Sequence, residues 1–292
     1  MKSAAIISKP SKPELAAILP DLLAWFGERG YKLYVDEQTA EYIDAEEVVV
    51  RKNMGDKHPD FALVLGGDGT LLSAARAVAR EGVPIMAVNL GSLGFLTEVP
   101  LNEMYATLEA VDAGTCPSEQ RAVIDCTVFR DDEAIARHFA LNDVVVNKWE
   151  TGRTMDFETS INGRFVNSHS GDGMVIATAT GSTAYAMSCG GPIVEPDLDL
   201  WVLAPICPHT LSDRPIVVRA GSSIQLRMGE RLGSQAQVTC DGSLIGELSQ
   251  GDTLLVGGAD AQITLLHPPG YDFYRLLRSK LHWGQGGHGN GE

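Results

Sequence analysis

Residues 61–76 read FALVLGGDGTLLSAAR, and they constrain the fold more tightly than any other stretch. Phe61 to Leu65 is an unbroken apolar run, which suits a strand buried on both faces in a parallel sheet. Gly66-Gly67-Asp68-Gly69-Thr70 follows at once. Leu71, Leu72, Ala75, Val78 and Ala79 then recur at helical intervals, which predicts a helix over 70–81 capped by Gly82. A buried strand passing through a glycine turn into an amphipathic helix is a βα unit.

The neighbouring segments repeat that unit. SAAIIS (3–8) is a short strand ended by Lys9-Pro10. Over 12–29, Leu15, Ile18, Leu19, Leu22, Leu23 and Phe26 mark a helix, which Pro20 is expected to kink or split. YKLYVD and VPIMAV (83–88) read as further strands. Repeated units of this kind imply a doubly wound, Rossmann-like α/β domain.

The period changes to two after about residue 120. FETSINGRFVNS turns at Asn162-Gly163 and AQVTCDGSLIGEL at Asp241-Gly242, both strong hairpin signals. RPIVVRAGSSIQLRM and DTLLVGGADAQITLLHP are read as two more hairpins. The expectation is an all-β, sandwich-like domain over 121–267. The amphipathic stretch 271–283 reads as a late helix, so 268–283 is grouped with 1–120 in the α/β domain. The Gly-rich tail 284–292 is expected to be disordered.

Acidic residues outnumber basic ones by 38 to 23, a formal net charge of −15. That argues against nucleic acid or an anionic membrane as partner, since both need clustered Lys and Arg. It does not exclude a phosphate ligand, because glycine-loop N–H groups bind anions whatever the net charge. Five scattered cysteines without a CxxC pair suggest neither zinc nor a disulfide framework. No apolar run suits a secretory signal or approaches the ~18 residues of a membrane span. These features read as a cytoplasmic protein.

Three glycines let a ligand approach the backbone, and the helix that follows aims its first N–H groups at the loop. A phosphate cradle needs no acid, so Asp68 has a role of its own, either holding Mg²⁺ or taking a proton from an attacking hydroxyl. The bland alternative is a tight turn with Asp68 as a helix N-cap. The P-loop pattern fails because no Lys follows, and the dinucleotide fingerprint fails at Leu72. A second glycine loop, NLGSLGFLTE (89–98), would lie beside the first at the carboxyl edge of the sheet. Its Phe95 suits either base stacking or core.

A second stretch, HSGDGMVIATATGSTAYAMSCGGPIV (169–194), packs Ala, Gly, Ser and Thr where backbone and hydroxyl groups can meet a ligand. Tyr185 and Ser188 share one helical face, while Asp172 lies in a glycine turn. In LNDVVVNK, Asn142 and Asp143 open a strand; the pair suits a sugar diol, or an Asx turn.

Taken together these segments resemble the NAD kinase family of bacterial type. The matching pieces are Gly66–Thr70, GSLGF (91–95), Asn142-Asp143, Asp172-Gly173, TGSTAY (180–185), GGPI (190–193) and PHTLSDRP (208–215), in family order across most of the chain. The resemblance implies transfer of the γ-phosphoryl of ATP to the 2′-hydroxyl of the adenosine ribose of NAD, giving NADP. It implies that Asp68 is the general base and that Gly66, Gly67, Gly69 and Thr70 cradle the phosphates. Mg²⁺ or another divalent cation would arrive with ATP, with no metal site in the protein. Asn142 and Asp143 would hold the adenosine, and Thr183, Ala184, Tyr185 and Ser188 would line the dinucleotide. Asp172 and Arg153 would add contacts, and Phe95 would border the adenine pocket. Family members are commonly dimers or tetramers, so a homo-oligomer is expected.

Ser170 stands where relatives carry Arg or Gly, which leaves the choice between NAD and NADH open. Two other functions compete. A diacylglycerol or sphingoid-base kinase shares the GGDG loop but needs an apolar slot for acyl chains. A nonenzymatic dinucleotide sensor would bind NAD and release no ADP, and would gain nothing from Asp68.

Overall fold

The computed structural model describes residues 1–91, 94–149, 154–229 and 235–283. Arg153 and the tail 284–292 lie outside the described residues. The chain divides into two compact units, Met1–Glu119 with the chain from Thr264 onward, and Gln120–Ile263.

The first unit opens with β1 (Ser3–Ser8), α1 (Leu15–Glu28), β2 (Lys32–Asp36) and the short β3 (Val48–Val49). It continues with β4 (Phe61–Gly66), α2 (Asp68–Val78), β5 (Ile85–Asn89), the short β6 (Val99–Pro100) and α3 (Met104–Asp112). The strands run parallel in the order β5-β4-β1-β2-β3, with β6 beside β5. Helices α1 and α3 bury Leu15, Leu19, Leu22, Phe26, Met104 and Leu108 against Ala4, Ile6, Leu63, Leu65 and Val88. The alternate residues Ala5, Ile7, Ala62 and Val64 are equally buried, and α2 packs against β4, β1 and β5. Burial on both faces is why FALVL is apolar without alternation.

Two details differ from expectation. Pro20 lies inside α1 without splitting it. The carbonyl that Pro20 cannot bond belongs to Ala16, and both residues are on the exposed side, where that carbonyl is open to solvent while the buried stripe holds the helix. Helix α2 starts at Asp68, two residues early, because extended Gly67 serves as its N-cap. Asp68 is therefore in the first turn, where a carboxylate opposes the helix dipole. A short 3-10 turn and left-handed Gly82 (φ +67°) end this helix.

The second unit contains β7 (Ser118–Arg130), β8 (Glu133–Ala140), β9 (Asp143–Lys148), β10 (Met155–Ile161), β11 (Arg164–Gly171) and β12 (Gly173–Thr178). After the one-turn α4 (Tyr185–Ser188) come β13 (Leu200–Ile206), β14 (Ile216–Arg219), β15 (Ile224–Met228), β16 (Ala236–Cys240), β17 (Ser243–Leu248) and β18 (Thr253–Leu266). One sheet runs β14-β13-β12-β9-β16-β17; the other carries β11-β10-β15-β18, with β7 pairing both β18 and β8. Ile124, Val144, Phe157, Met174, Trp201, Leu226, Val238 and Leu254 fill the core between them. The other face of β12 and β13 is covered by Ala179, Ala186 and Val194, which flank the TGSTAY stretch.

The hairpins at Asn162-Gly163 (φ +52° and +73°) and Asp241-Gly242 (φ +47° and +73°) form as expected. Two others do not. In RPIVVRAGSSIQLRM, β14 joins β13 in one sheet and β15 joins β10 and β18 in the other. The segment crosses the sandwich, and Val218 and Ile224 reach the same core from opposite sheets. DTLLVGGADAQITLLHP is one strand, β18, because neither Gly257 nor Gly258 takes the positive φ that a tight turn needs. The end of β18 pairs Leu265 with Ile85 in the first unit, and α5 (Phe273–Leu281) follows, capped by the Asp272 side chain on Tyr274 N–H.

Candidate active site

The predicted residues form two groups, one in each unit. In the first, β4 ends at Gly66, Gly67 caps α2 and Asp68 opens it. The side chain of Thr70 is buried over Gly66, where a Cβ would overlap it. Gly67 and Gly69 differ: beyond the adjoining chain, no atom of the described residues lies within 4 Å of the point where either Cβ would stand, and neither has positive φ. Packing does not ask for glycine there. Bare backbone beside the positive end of a helix suits the close approach of phosphate oxygens.

Among the described residues the Asp68 carboxylate accepts four hydrogen bonds, each from the second glycine loop. Oδ2 accepts the Phe95 N–H at 2.9 Å. Oδ1 accepts the N–H of Leu96 at 3.1 Å, and the N–H and hydroxyl of Thr97, each at 2.9 Å. Gly94 makes room for this, since a Cβ there would overlap Oδ1. The loop is itself braced. Asn89 Nδ2 donates to Thr97 Oγ1 at 2.7 Å, and Glu98 bonds the buried His267 ring at 2.6 Å. The four donors hold the carboxylate charged and fixed in direction, which leaves both roles open to Asp68. Among the described residues, no group of three or more His, Cys, Asp or Glu side chains is placed to hold a metal ion. Phe95 is half-buried rather than core, with the Lys280 ammonium 6.0 Å from its ring centre.

In the second unit, Asn142 and Asp143 stand at the start of β9. They are held by a residue the sequence pattern showed only as part of a turn. The Asp241 carboxylate accepts the N–H groups of Leu141 at 3.1 Å, Asn142 at 2.8 Å and Asp143 at 3.4 Å. Burial, and then the Asp241 charge, push the Asp143 carboxyl up from 3.8 to about 7, against a hydrogen bond from the Tyr185 backbone. Asn142 Oδ1 is buried with no hydrogen-bond partner among the described residues. A buried acceptor left open costs free energy until a donor fills it, so this oxygen fits a ligand N–H or O–H. Gly181 lies so close to Asn142 that a Cβ would overlap its carbonyl oxygen.

The TGSTAY stretch is a 3-10 turn over Thr180–Thr183, then Ala184, then α4. Thr183 and Ala184 are half-buried, while Tyr185 and Ser188 are exposed. The Tyr185 hydroxyl bonds Asn147, and its pKa is raised chiefly by burial. Asp172 is more than a turn residue, since Oδ1 pairs with Lys148 Nζ at 2.6 Å. The structure thus gathers Asn142, Asp143, Tyr185 and Gly181, while Arg153 lies outside the described residues.

A parallel α/β unit with an acid in its phosphate-type loop, joined in one chain to a β sandwich with an open amide oxygen, suits a small-molecule phosphotransferase. Residues 4–116 match the ATP-NAD kinase N-terminal domain and residues 141–267 the ATP-NAD kinase C-terminal domain. The chain belongs to the NAD kinase family. It is 47% identical to the NAD kinase of Koribacter versatilis over 285 residues, 98% of this chain and 99% of that one. It is 41% identical to the NAD kinase of Acidobacterium capsulatum, covering 98% and 100%. A yeast NADH kinase solved with NADH has the same fold, with TM-score 0.88 and 24% identity, covering 100% of this chain and 90% of that one. An Archaeoglobus fulgidus NAD kinase solved with ATP gives 0.75 and 23%, covering 96% and 98%.

Proposed function

We propose that this chain transfers the γ-phosphoryl group of ATP to the 2′-hydroxyl of the adenosine ribose of NAD, with Asp68 as general base. The observation that carries the reading is the Asp68 carboxylate, held at the first turn of α2 among backbone positions open to a phosphate. The hydroxyl proton passes to Asp68 as its oxygen bonds the γ-phosphorus. The bond from that phosphorus to the bridging oxygen breaks, and ADP leaves. Gly66, Gly67, Gly69 and Thr70 offer the phosphate cradle. Mg²⁺ enters with ATP as part of the substrate and spreads charge over the phosphoryl oxygens.

Asn142 and Asp143 hold the adenosine, the open Asn142 Oδ1 being the acceptor a nucleotide donor would fill. Thr183, Ala184, Tyr185 and Ser188 line the dinucleotide, Asp172 and Arg153 add contacts, and Phe95 borders the adenine pocket. The reading extends to a homo-oligomer, dimer or tetramer, at work in the cytoplasm. Among the described residues no helix is long and apolar enough to cross a membrane.

The test is ADP release from Mg-ATP with NAD, NADH or diacylglycerol as acceptor. NAD-dependent release with NADP as co-product is expected. Release with the lipid, or NAD binding without ADP, would replace the reading with one of its two rivals.

A further inference from the structure

We infer that Thr97 and Asn89 form a positioning relay that anchors Oδ1 of Asp68 and reserves Oδ2 as the oxygen that takes the proton. The inference rests on Asp68 being the base. A carboxylate offers about four lone-pair positions, two on each oxygen. Among the described residues Oδ1 receives three donors and is saturated, whereas Oδ2 receives one, from Phe95 N–H. Against these donors it is Oδ2 that keeps a position for a substrate hydroxyl.

The direction of each bond in the relay is forced. The Gly91 N–H donates to Asn89 Oδ1 at 2.6 Å, so the other end of that amide, Nδ2, is what faces Thr97. An amide nitrogen only donates, so Thr97 Oγ1 accepts from it. The single hydroxyl proton of Thr97 is then directed at Asp68 Oδ1. Thr97 is fully buried and Asn89 nearly so, and away from water such linked bonds strengthen one another. Neither residue reaches the reacting atoms; both act through the carboxylate. During transfer the 2′-hydroxyl proton moves to Oδ2, the oxygen left behind bonds phosphorus, and ADP departs with the electrons of the broken bond.

The experiment compares Thr97→Val, which keeps the shape and removes the hydroxyl, with Thr97→Ser, which keeps the hydroxyl. Each is made alone and with Asp68→Asn, and denaturation curves check folding. Loss of the anchor lets the carboxylate swing away from the hydroxyl, so Thr97→Val should lower kcat by about 10- to 100-fold with KM for NAD and ATP little changed. Thr97→Ser should stay within about threefold of wild type, and Thr97→Val should add nothing once Asp68 is Asn, since coupled residues are non-additive. Wild-type kcat in Thr97→Val, an equal loss in Thr97→Ser, or a full further loss in the Asp68→Asn background would overturn the relay. Near-normal turnover of Asp68→Asn alone would instead remove the base itself, so the two failures are distinct.

Discussion

The Asp241 carboxylate accepts the Asn142 backbone N–H at 2.8 Å, from a hairpin turn 99 residues further along the chain. The same side chain reaches the N–H groups on either side, Leu141 and Asp143. One acid thereby fixes the segment that presents the proposed adenosine contacts, and its charge helps keep the neighbouring Asp143 protonated.

That arrangement has a pH signature. The Asp143 carboxyl is raised from 3.8 to about 7 in the folded chain, so between those values the native state binds a proton that the unfolded state has lost. Stability therefore falls as pH rises through this window, and the loss is complete above about 7. Asp143→Asn removes the ionisable group, so its stability relative to wild type should improve from pH 4 to pH 8 by roughly 2–4 kcal/mol. Urea unfolding at the two pH values measures this; a constant difference would mean that Asp143 is ionised in the fold.

Gly181→Ala puts a methyl into the Asn142 carbonyl oxygen. The Asn142-Asp143 segment must shift, so KM for NAD should rise by about tenfold or more, which corresponds to ~1.4 kcal/mol of lost binding. KM for ATP should change little. Steady-state kinetics with each substrate varied separates the two effects, and an unchanged KM for NAD would detach Asn142 from the dinucleotide.

Asp36, at the end of β2, is fully buried and pairs with the Arg51 guanidinium, which also bonds Ser8 O at 2.6 Å and Ser73 at 3.2 Å. Arg51→Met would strand a buried carboxylate at a cost of about 3–5 kcal/mol. Asp36→Asn combined with Arg51→Met should recover part of that loss. Chemical denaturation of the three forms checks it; equal stability of wild type and Arg51→Met would show the pair to be idle.

Legibility in the sequence follows from how local each signal is. FALVL, the glycine turn and the stripe after it are local, and the sequence reading of them matches the structure apart from the first residues of α2. Asn162-Gly163 and Asp241-Gly242 are legible because a two-residue hairpin demands positive φ at both positions. The similar turn at Asp131 and Asp132 (φ +50° and +63°) carries no such signal, since neither is glycine. The crossing at 216–228 and the unbroken β18 escape because alternation tells which residues face the core but not which strand lies beside them. Asp241, Thr97, Asn89 and Arg51 are unreadable as partners for the same reason: each acts through a contact between distant segments. The single acid among glycines stands out because a turn alone does not need it.

As general base, Asp68 would take the proton from the hydroxyl that attacks ATP. The most direct measurement is the turnover of Asp68→Asn by coupled ADP release, together with its NAD dissociation constant. With the base removed, kcat should fall at least ~10²-fold while NAD binds as in wild type. Turnover within a few-fold of wild type would contradict that role.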